Sequence, residues 1–134
     1  MAALQDKYRM ANQRKQYQMS FEQAQLHFRS ARTPEHWWTA ICNAAERMDF
    51  AWVSLKTTKK DGSIDTQVWR LPDSQPDLSS LVIMTVPFNG NGSQMTHEFE
   101  IAICVNGSYE SAGHRATLFG RLIDEHQSVI SNWM

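Results

Sequence analysis

The chain has 134 residues, which is enough for one domain with a sizeable core and too few for two comfortable domains. Hydrophobic residues make up 42% of the sequence, and this favours a folded chain over a disordered one. The 13 Lys and Arg nearly balance the 14 Asp and Glu, which excludes the strong positive field of a typical nucleic-acid-binding protein. We therefore expect no nucleic-acid partner.

The first predicted element is a long helix over residues 2–31, because this stretch has no proline or glycine and is rich in Gln, Ala, Arg and Lys. Its loose apolar seam consists of Tyr8, Met10, Tyr17, Phe21, Ala24 and Phe28. We expect residues 20–31 to dock on a single domain over residues 20–134, and residues 1–19 to form a helical lead-in or stalk. Two interpretations of this lead-in are left open by the sequence: it is a connector or dimer stalk, or it is a frayed helix end.

A second helix, continuous with a strand, is predicted over residues 33–55. Thr33 suits the N-cap and Pro34 the first helical position. The apolar stripe of this helix recurs at helical spacing and consists of Trp37, Trp38, Ile41, Ala44, Ala45 and Met48. From Phe50 onwards the pattern of apolar residues is that of a β-strand.

Four strands and a closing helix complete the predicted order. The strands span residues 50–57, 63–71, 81–88 and 95–105, and an Asp61-Gly62 turn joins the first two. The run 81–88 is nearly all apolar and predicts a buried central strand. In the fourth strand Phe99, Ile101, Ile103 and Val105 share one face, and Glu98, Glu100, Ala102 and Cys104 share the other.

The closing helix is predicted over residues 110–133. Its apolar stripe consists of Leu118, Leu122, Ile123, His126, Val129, Ile130 and Trp133. The order of elements predicts an α+β fold, in which an antiparallel sheet of about four strands is covered by the N- and C-terminal helices.

No pattern in the sequence predicts catalysis, a metal or a cofactor. The five histidines lack the spacing that places two ligands on one metal, and no nucleophile motif is present. Glu98 and Glu100 share a strand face, where a solvated surface is favoured over acid–base chemistry. Cys42 and Cys104 are too few for a disulfide scaffold, so we expect free, buried thiols in a reducing cytoplasm. No apolar run approaches the roughly 20 residues that span a bilayer, and no signal peptide is visible.

The tryptophans are the strongest candidates for an interaction or ligand site. Trp37 and Trp38 diverge by about 100° on a helix, so one of them faces a second surface: the N-terminal helix, a partner subunit or a ligand. Trp52 and Trp69 extend the set that could stack on a planar ligand. The candidate interaction or ligand-binding residues are Tyr17, Phe21, Trp37, Trp38, Trp52 and Trp69.

Residues 20–133 resemble a reduced GAF domain. The resemblance rests on the helix–strand unit TPEHWWTAICNAAERMDFAWVSL, the strands LVIMTVPF and HEFEIAICV, and the helix ATLFGRLIDEHQSVISNW. It implies a regulatory domain, for which a small-molecule ligand is possible. Only the short segment 72–80 stands where GAF sensors usually have the helical insertion that forms the lid of the ligand pocket.

A narrower resemblance is to the cytosolic C-terminal extension of bacterial membrane glycosyltransferases that transfer a sugar phosphate from a UDP-sugar to polyprenyl phosphate. Such extensions similarly have a basic helical lead-in, then a helix like WWTAICNAAERMDFAWVSL, then a small sheet. The charge of +3 (4 − 1) over residues 1–18 suits a segment just inside a membrane. The resemblance implies a non-catalytic regulatory or interaction domain at the cytosolic face of the inner membrane, with the larger polypeptide or a second copy as partner. The alternative is a stand-alone GAF-like sensor or adaptor.

Overall fold

The computed structural model describes residues 2–72, 78–89, 96–105 and 108–126. It contains three helices and a four-stranded antiparallel sheet, which confirms the predicted α+β class. The helices are α1 (Ala2–Ser30), α2 (Pro34–Arg47) and α3 (Tyr109–Glu125), with a 3-10 turn at Leu78–Ser80. The strands are β1 (Phe50–Thr58), β2 (Ile64–Arg70), β3 (Leu81–Asn89) and β4 (Thr96–Cys104).

Local signals set the ends of α2 as the sequence predicts. The Thr33 hydroxyl accepts a hydrogen bond from the His36 N–H at 3.1 Å, and Pro34 occupies the first turn, where its missing N–H costs nothing. Asp49 then adopts a left-handed conformation with φ of 59° between α2 and β1. This conformation is uncommon for a residue other than glycine and ends the helix abruptly, so that β1 begins one residue later.

The strand order is β2-β1-β4-β3, which places β1 and β4 in the centre. The prediction that residues 81–88 form a buried central strand is therefore wrong, because β3 is an edge strand. Ile83 and Met84 are 53% and 39% exposed on it. Pro87 agrees with the edge position, because proline cannot donate to a second neighbouring strand.

One face of the sheet, the covered face, packs against the helices. Phe99 on β4 contacts Trp37 of α2 and Phe119 of α3, with ring centroids 6.0 and 5.8 Å apart. The predicted alternation in β4 is confirmed, since Phe99, Ile101 and Ile103 are buried whereas Glu98 and Glu100 are exposed. The opposite side, the open face, carries no helix among the residues described.

Helix α1 packs on α2 and α3, and its docked part begins earlier than the sequence predicts. Tyr17 is only 6% exposed, so the boundary predicted between residues 19 and 20 falls inside the docked segment. The reason is a polar contact of Tyr17, described below, that no apolar periodicity encodes. The side chains of Tyr8 and Met10 lie outside the described part of the structure.

Helix α3 begins where Ser108 accepts a hydrogen bond from the Ser111 N–H at 3.2 Å. The first members of its predicted stripe are buried, namely Leu118, Leu122, Ile123 and His126. The predictions for Val129, Ile130 and Trp133 lie outside the described residues. Within the ranges described, no helix combines the length and the apolar character needed to cross a membrane.

Candidate functional site

The most unusual side chain of the domain is Arg115, which lies in α3 and is completely buried. Its guanidinium donates to backbone carbonyls of three separate parts of the chain: the end of α2, the end of β4 and α3 itself. The acceptors and distances are Met48 (3.0 Å), Asp49 (3.4 Å), Cys104 (2.6 Å), Val105 (3.3 Å) and Ser111 (3.2 Å). A buried charge without such partners would be strongly destabilising, so these bonds explain how Arg115 can be enclosed.

Tyr17 connects α1 to this arginine. The guanidinium lies 4.9 Å from the centroid of the Tyr17 ring, a cation–π distance, and the Tyr17 hydroxyl donates to Asp49 Oδ2 at 2.7 Å. Burial lowers the pKa of Arg115, and the neighbouring Tyr17 and Asp49 act in the opposite direction. We call Tyr17, Asp49 and Arg115 the arginine cluster.

The arginine cluster is suited to holding helices in place and not to acid–base chemistry. Arg115 is sealed from solvent, so it cannot meet a substrate, and its donors are directed at backbone carbonyls. The cluster joins α1, the turn between α2 and β1, the end of β4 and α3. Its chemical role is therefore to fix the orientation of α1 relative to the sheet.

A polar cleft of about 480 Å³ lies beside the cluster. Its walls come from residues 13–23 of α1, together with Arg47 and Asp49. Gln23 accepts a short hydrogen bond from Arg47 across one side of it. Amide, hydroxyl, guanidinium and carboxylate groups thus converge on one opening, which could hold a small polar molecule.

A second cleft, of about 280 Å³, lies between the end of α1 and the start of α2. His27, His36 and Asn43 are among the residues that line it. In the part of the chain that the structure describes, no three His, Cys, Asp or Glu side chains are grouped so that they could hold a metal ion. Two exposed histidines alone do not define a metal centre.

Three of the predicted interaction residues lie in the core. Tyr17, Phe21 and Trp37 are buried, and Arg121 covers the Phe21 ring at 4.8 Å. Trp37 packs edge-on against Phe28 of α1 with centroids 6.4 Å apart, so the second surface it faces is the N-terminal helix. Burial removes the accessible area on which a role of these residues in self-association would depend.

The remaining predicted tryptophans do not converge on one pocket. Trp38 is half-buried and packs against the edge of the core. Trp69 also packs against the core, on the covered side of β2. Trp52 lies on the open face, where its Nε1–H donates to Glu100 Oε1 at 3.1 Å and the Arg70 guanidinium lies 5.8 Å from its ring. A single aromatic ligand site built from these residues is not formed.

The register aligns Trp52 with other side chains across the open face. Arg70 is opposite Trp52, Trp52 is opposite Ala102, and Ala102 is opposite Ile83. Ala102 is fully buried between its larger neighbours, although no helix among the described residues lies on this face. We call these four residues the tryptophan row.

Sequence reasoning did not single out Arg115 or the tryptophan row. A signal for Arg115 existed, because it shares the buried stripe of α3 with Ala112, Phe119 and Leu122 at spacings of three and four. The tryptophan row had no local signal, because its members come from four strands whose order was unknown.

Burial also shifts the pKa of several groups. Cys42 and Cys104, expected to be buried, are each only half-buried. Burial raises the pKa of the Cys42 thiol to about 11, which keeps it protonated and unreactive at neutral pH. It lowers the pKa of His97, whose Nδ1 lies 3.0 Å from the Thr57 hydroxyl, and of His126, whose ring packs on Phe28. These groups stabilise the fold in their neutral forms.

The fold and its sites thus define an α+β domain with helices on one sheet face and the tryptophan row on the other. Comparison with protein-family models found no match. Comparison with curated proteins and with solved structures found no match either.

Proposed function

We propose that this chain is a non-catalytic regulatory or interaction domain, and that it forms the cytosolic part of a membrane glycosyltransferase that transfers a sugar phosphate to polyprenyl phosphate. The observation that carries the proposal is the attachment of α1. Its 29 residues extend over about 44 Å, and the arginine cluster together with Phe21 and Phe28 fixes its second half on the domain. Such a helix transmits orientation between this domain and a neighbouring one.

The charge of the helix supports a position close to a membrane. Residues 1–18 have a net charge of +3 (4 − 1), and basic segments are favoured on the cytosolic side next to anionic lipid. The partner in this proposal is the membrane-embedded part of the same polypeptide. The resemblance of the α2–β1 segment to the extensions of such transferases supports the same assignment.

The first experiment measures the mass and location of the native polypeptide by blotting fractionated cells with an antibody raised against this domain. We expect a product much larger than 15.4 kDa in the membrane pellet. A soluble product of about 15.4 kDa would rule out the transferase assignment and leave the stand-alone sensor or adaptor.

A second experiment asks whether the domain regulates the transferase. Tyr17→Phe in the intact protein removes the hydroxyl that donates to Asp49 and loosens α1 without creating a cavity. If α1 transmits a regulatory signal, the rate of sugar-phosphate transfer changes while the amount of protein in the membrane stays constant. Tyr109→Phe is the matched control, because Tyr109 is exposed at the start of α3.

The polar cleft beside Asp49 favours a second candidate function, a sensor of small polar molecules. We expect a ligand of this cleft to raise the melting temperature of the isolated chain in a panel of nucleotides and UDP-sugars. Arg47→Ala, which removes a cation from the cleft wall, should abolish the shift, whereas Arg29→Ala on the exposed side of α1 should leave it unchanged. An unchanged melting temperature across the panel would count against the sensor.

A further inference from the structure

The two edges of the sheet differ in how they are protected. On β2, Asp65 lies on the covered side and its Oδ2 is 2.8 Å from Lys59 Nζ, and an inward charge of this kind discourages pairing with another strand. The nine residues of β3 include no charged side chain. The centre of β3 instead exposes Ile83 on the open face and Met84 on the covered side. The β3 edge therefore has no charged side chain that would discourage pairing with another strand.

Backbone hydrogen bonds define which groups of β3 point away from the sheet. The Val105 N–H donates to the Ser80 carbonyl at 2.9 Å, and these two residues continue the register between β3 and β4. Hydrogen-bonded and non-hydrogen-bonded pairs alternate along an antiparallel ladder, so every odd-numbered residue of β3 directs its backbone groups outward. The outward N–H donors are those of Leu81, Ile83, Thr85 and Asn89, since Pro87 has none.

We propose that the β3 edge binds the β3 edge of a second copy of this chain, antiparallel and centred on Ile83. In that register Ile83 pairs with the second copy's Ile83, and Leu81 pairs with the second copy's Thr85. The N–H groups of Leu81, Ile83 and Thr85 of each copy then find a carbonyl acceptor. A register centred on Thr85 instead places Ile83 opposite Pro87, which has no N–H, so the Ile83 carbonyl of each copy is left without a donor; the Ile83-centred register keeps Pro87 outside the paired residues.

The same register extends the tryptophan row through the interface. The row ends at Ile83, so pairing Ile83 with its copy joins the two rows end to end across an eight-stranded sheet. On the covered side, Met84 lies opposite the second copy's Val82, which covers a side chain that is 39% exposed in the single chain. Both exposed apolar side chains at the centre of β3 are thereby buried.

A second copy fits this edge better than a strand of different composition. In this register residues 81–85 of β3 face the same residues of the second copy, and none of them is charged, so the paired positions bring no like charges together and desolvate no charge. The two-fold symmetry also makes one exposed patch its own complement, as a closed dimer requires. The pairing does not depend on the parent protein proposed above.

The first test is the mass of the full 134-residue chain in solution. Light scattering after size exclusion should give twice 15.4 kDa at high concentration, with dissociation on dilution. A mass of 15.4 kDa at every concentration up to the millimolar range overturns the proposal.

Two matched proline variants locate the interface. Thr85→Pro removes an N–H that points away from β4, so the single chain keeps its internal hydrogen bonds while each copy loses one donor to its partner. We expect the dissociation constant to rise on the order of a hundredfold. Thr66→Pro is the control, because Thr66 is also exposed and its N–H also points outward, but from the β2 edge. Equal dissociation constants for the two variants contradict the proposal.

Hydrogen exchange and a second pair of variants keep the test decisive if the proline variants fail to fold. The Ile83 and Thr85 amides should be protected in the dimer and should exchange rapidly on dilution, while the Thr66 amide exchanges rapidly throughout. Ile83→Lys should dissociate the dimer, and Val68→Lys, at a comparably exposed position on the β2 edge, should not. A dimer in which the Ile83 and Thr85 amides stay unprotected would place the interface elsewhere and overturn the proposal.

Discussion

The two faces of the sheet use the same strands in different ways. On the covered face, β1 and β4 present large apolar side chains that are completely buried, including Phe50, Val53, Phe99 and Ile101. On the open face the same strands present Trp52, Ser54, Glu98 and Glu100, none of which is fully buried, although the small Ala102 is enclosed between larger neighbours. The covered face therefore carries most of the stability of the domain, and the open face is available for interaction.

Truncating one large side chain on the covered face should give the largest effect. Phe99→Ala removes a ring that contacts Trp37 and Phe119, and we expect a loss of about 3–5 kcal/mol in the free energy of unfolding. Its neighbour Glu100 faces the opposite side, and Glu100→Ala should cost about 1 kcal/mol, the hydrogen bond to Trp52. Urea denaturation measures both. Similar losses for the two variants would show that the two faces contribute equally.

The arginine cluster holds the helical layer on the covered side, and its loss should be the next largest effect. Arg115→Leu leaves backbone carbonyls at the ends of α2 and β4 without their donor, for which we expect a loss of about 3 kcal/mol in urea denaturation. Arg121→Leu is the control in the same helix, because the Arg121 side chain is 54% exposed. A loss below about 1 kcal/mol for Arg115→Leu would mean that water replaces these hydrogen bonds.

A smaller effect separates the polar part of the α1 attachment from its packing. Tyr17→Phe keeps the ring beside Arg115 but removes the donor to the Asp49 carboxylate, and we expect a loss of about 1.5 kcal/mol in the free energy of unfolding. Tyr109→Phe changes the same group at a position that is 74% exposed and should stay within about 0.5 kcal/mol of the parent. Equal losses in the free energy of unfolding for the two variants would show that the Tyr17–Asp49 hydrogen bond does not help to dock α1.

The smallest effect concerns pH. Burial lowers the pKa of His97 below its unfolded value of about 6.5, so below that pH the unfolded chain binds a proton more readily than the folded one. The contribution of His97 to the free energy of unfolding is fully present above about pH 6.5, and it is lost as the pH falls towards the pKa of His97 in the folded chain. Thermal denaturation between about pH 7.5 and pH 5 should show a flatter decline for His97→Asn than for the parent. His36→Asn is the control, because His36 is exposed. If the melting temperature of His36→Asn depends on pH in the same way as that of His97→Asn, the loss of stability at low pH does not come from His97.

The sequence predicted what depends on neighbouring residues. The Thr33 cap, the turn at Asp61-Gly62 and the alternation of β4 each result from interactions within a few positions, and the structure confirms all three. The position of β3 could not be predicted in this way. An apolar run indicates burial of side chains, but it does not specify whether one strand or two lie beside it.

The candidate sites required contacts between distant parts of the chain. Tyr17, Asp49 and Arg115 meet only when α1, the turn before β1 and α3 are assembled, and no spacing in the sequence records that meeting. Tyr17 was therefore interpreted as part of an interaction surface, when its environment is the core. The tryptophan row depends on the registers of four strands. One of these registers, between β1 and β4, shifts by a residue between Phe50 and Trp52.

The contacts of α1 have a consequence for the order of folding during synthesis. Gln25 of α1 hydrogen-bonds Glu125 of α3, 100 positions later, and the Tyr17 ring packs against the Arg115 guanidinium of α3. At roughly 5–20 residues per second, a ribosome adds α3 about 5–20 s after α1 has left it. During that interval α1 can pack on α2, but the part of its apolar side that faces α3 has no final partner, so we expect that part to stay exposed on the nascent chain. Translation pauses before α3 should lengthen that exposure, and faster decoding should shorten it.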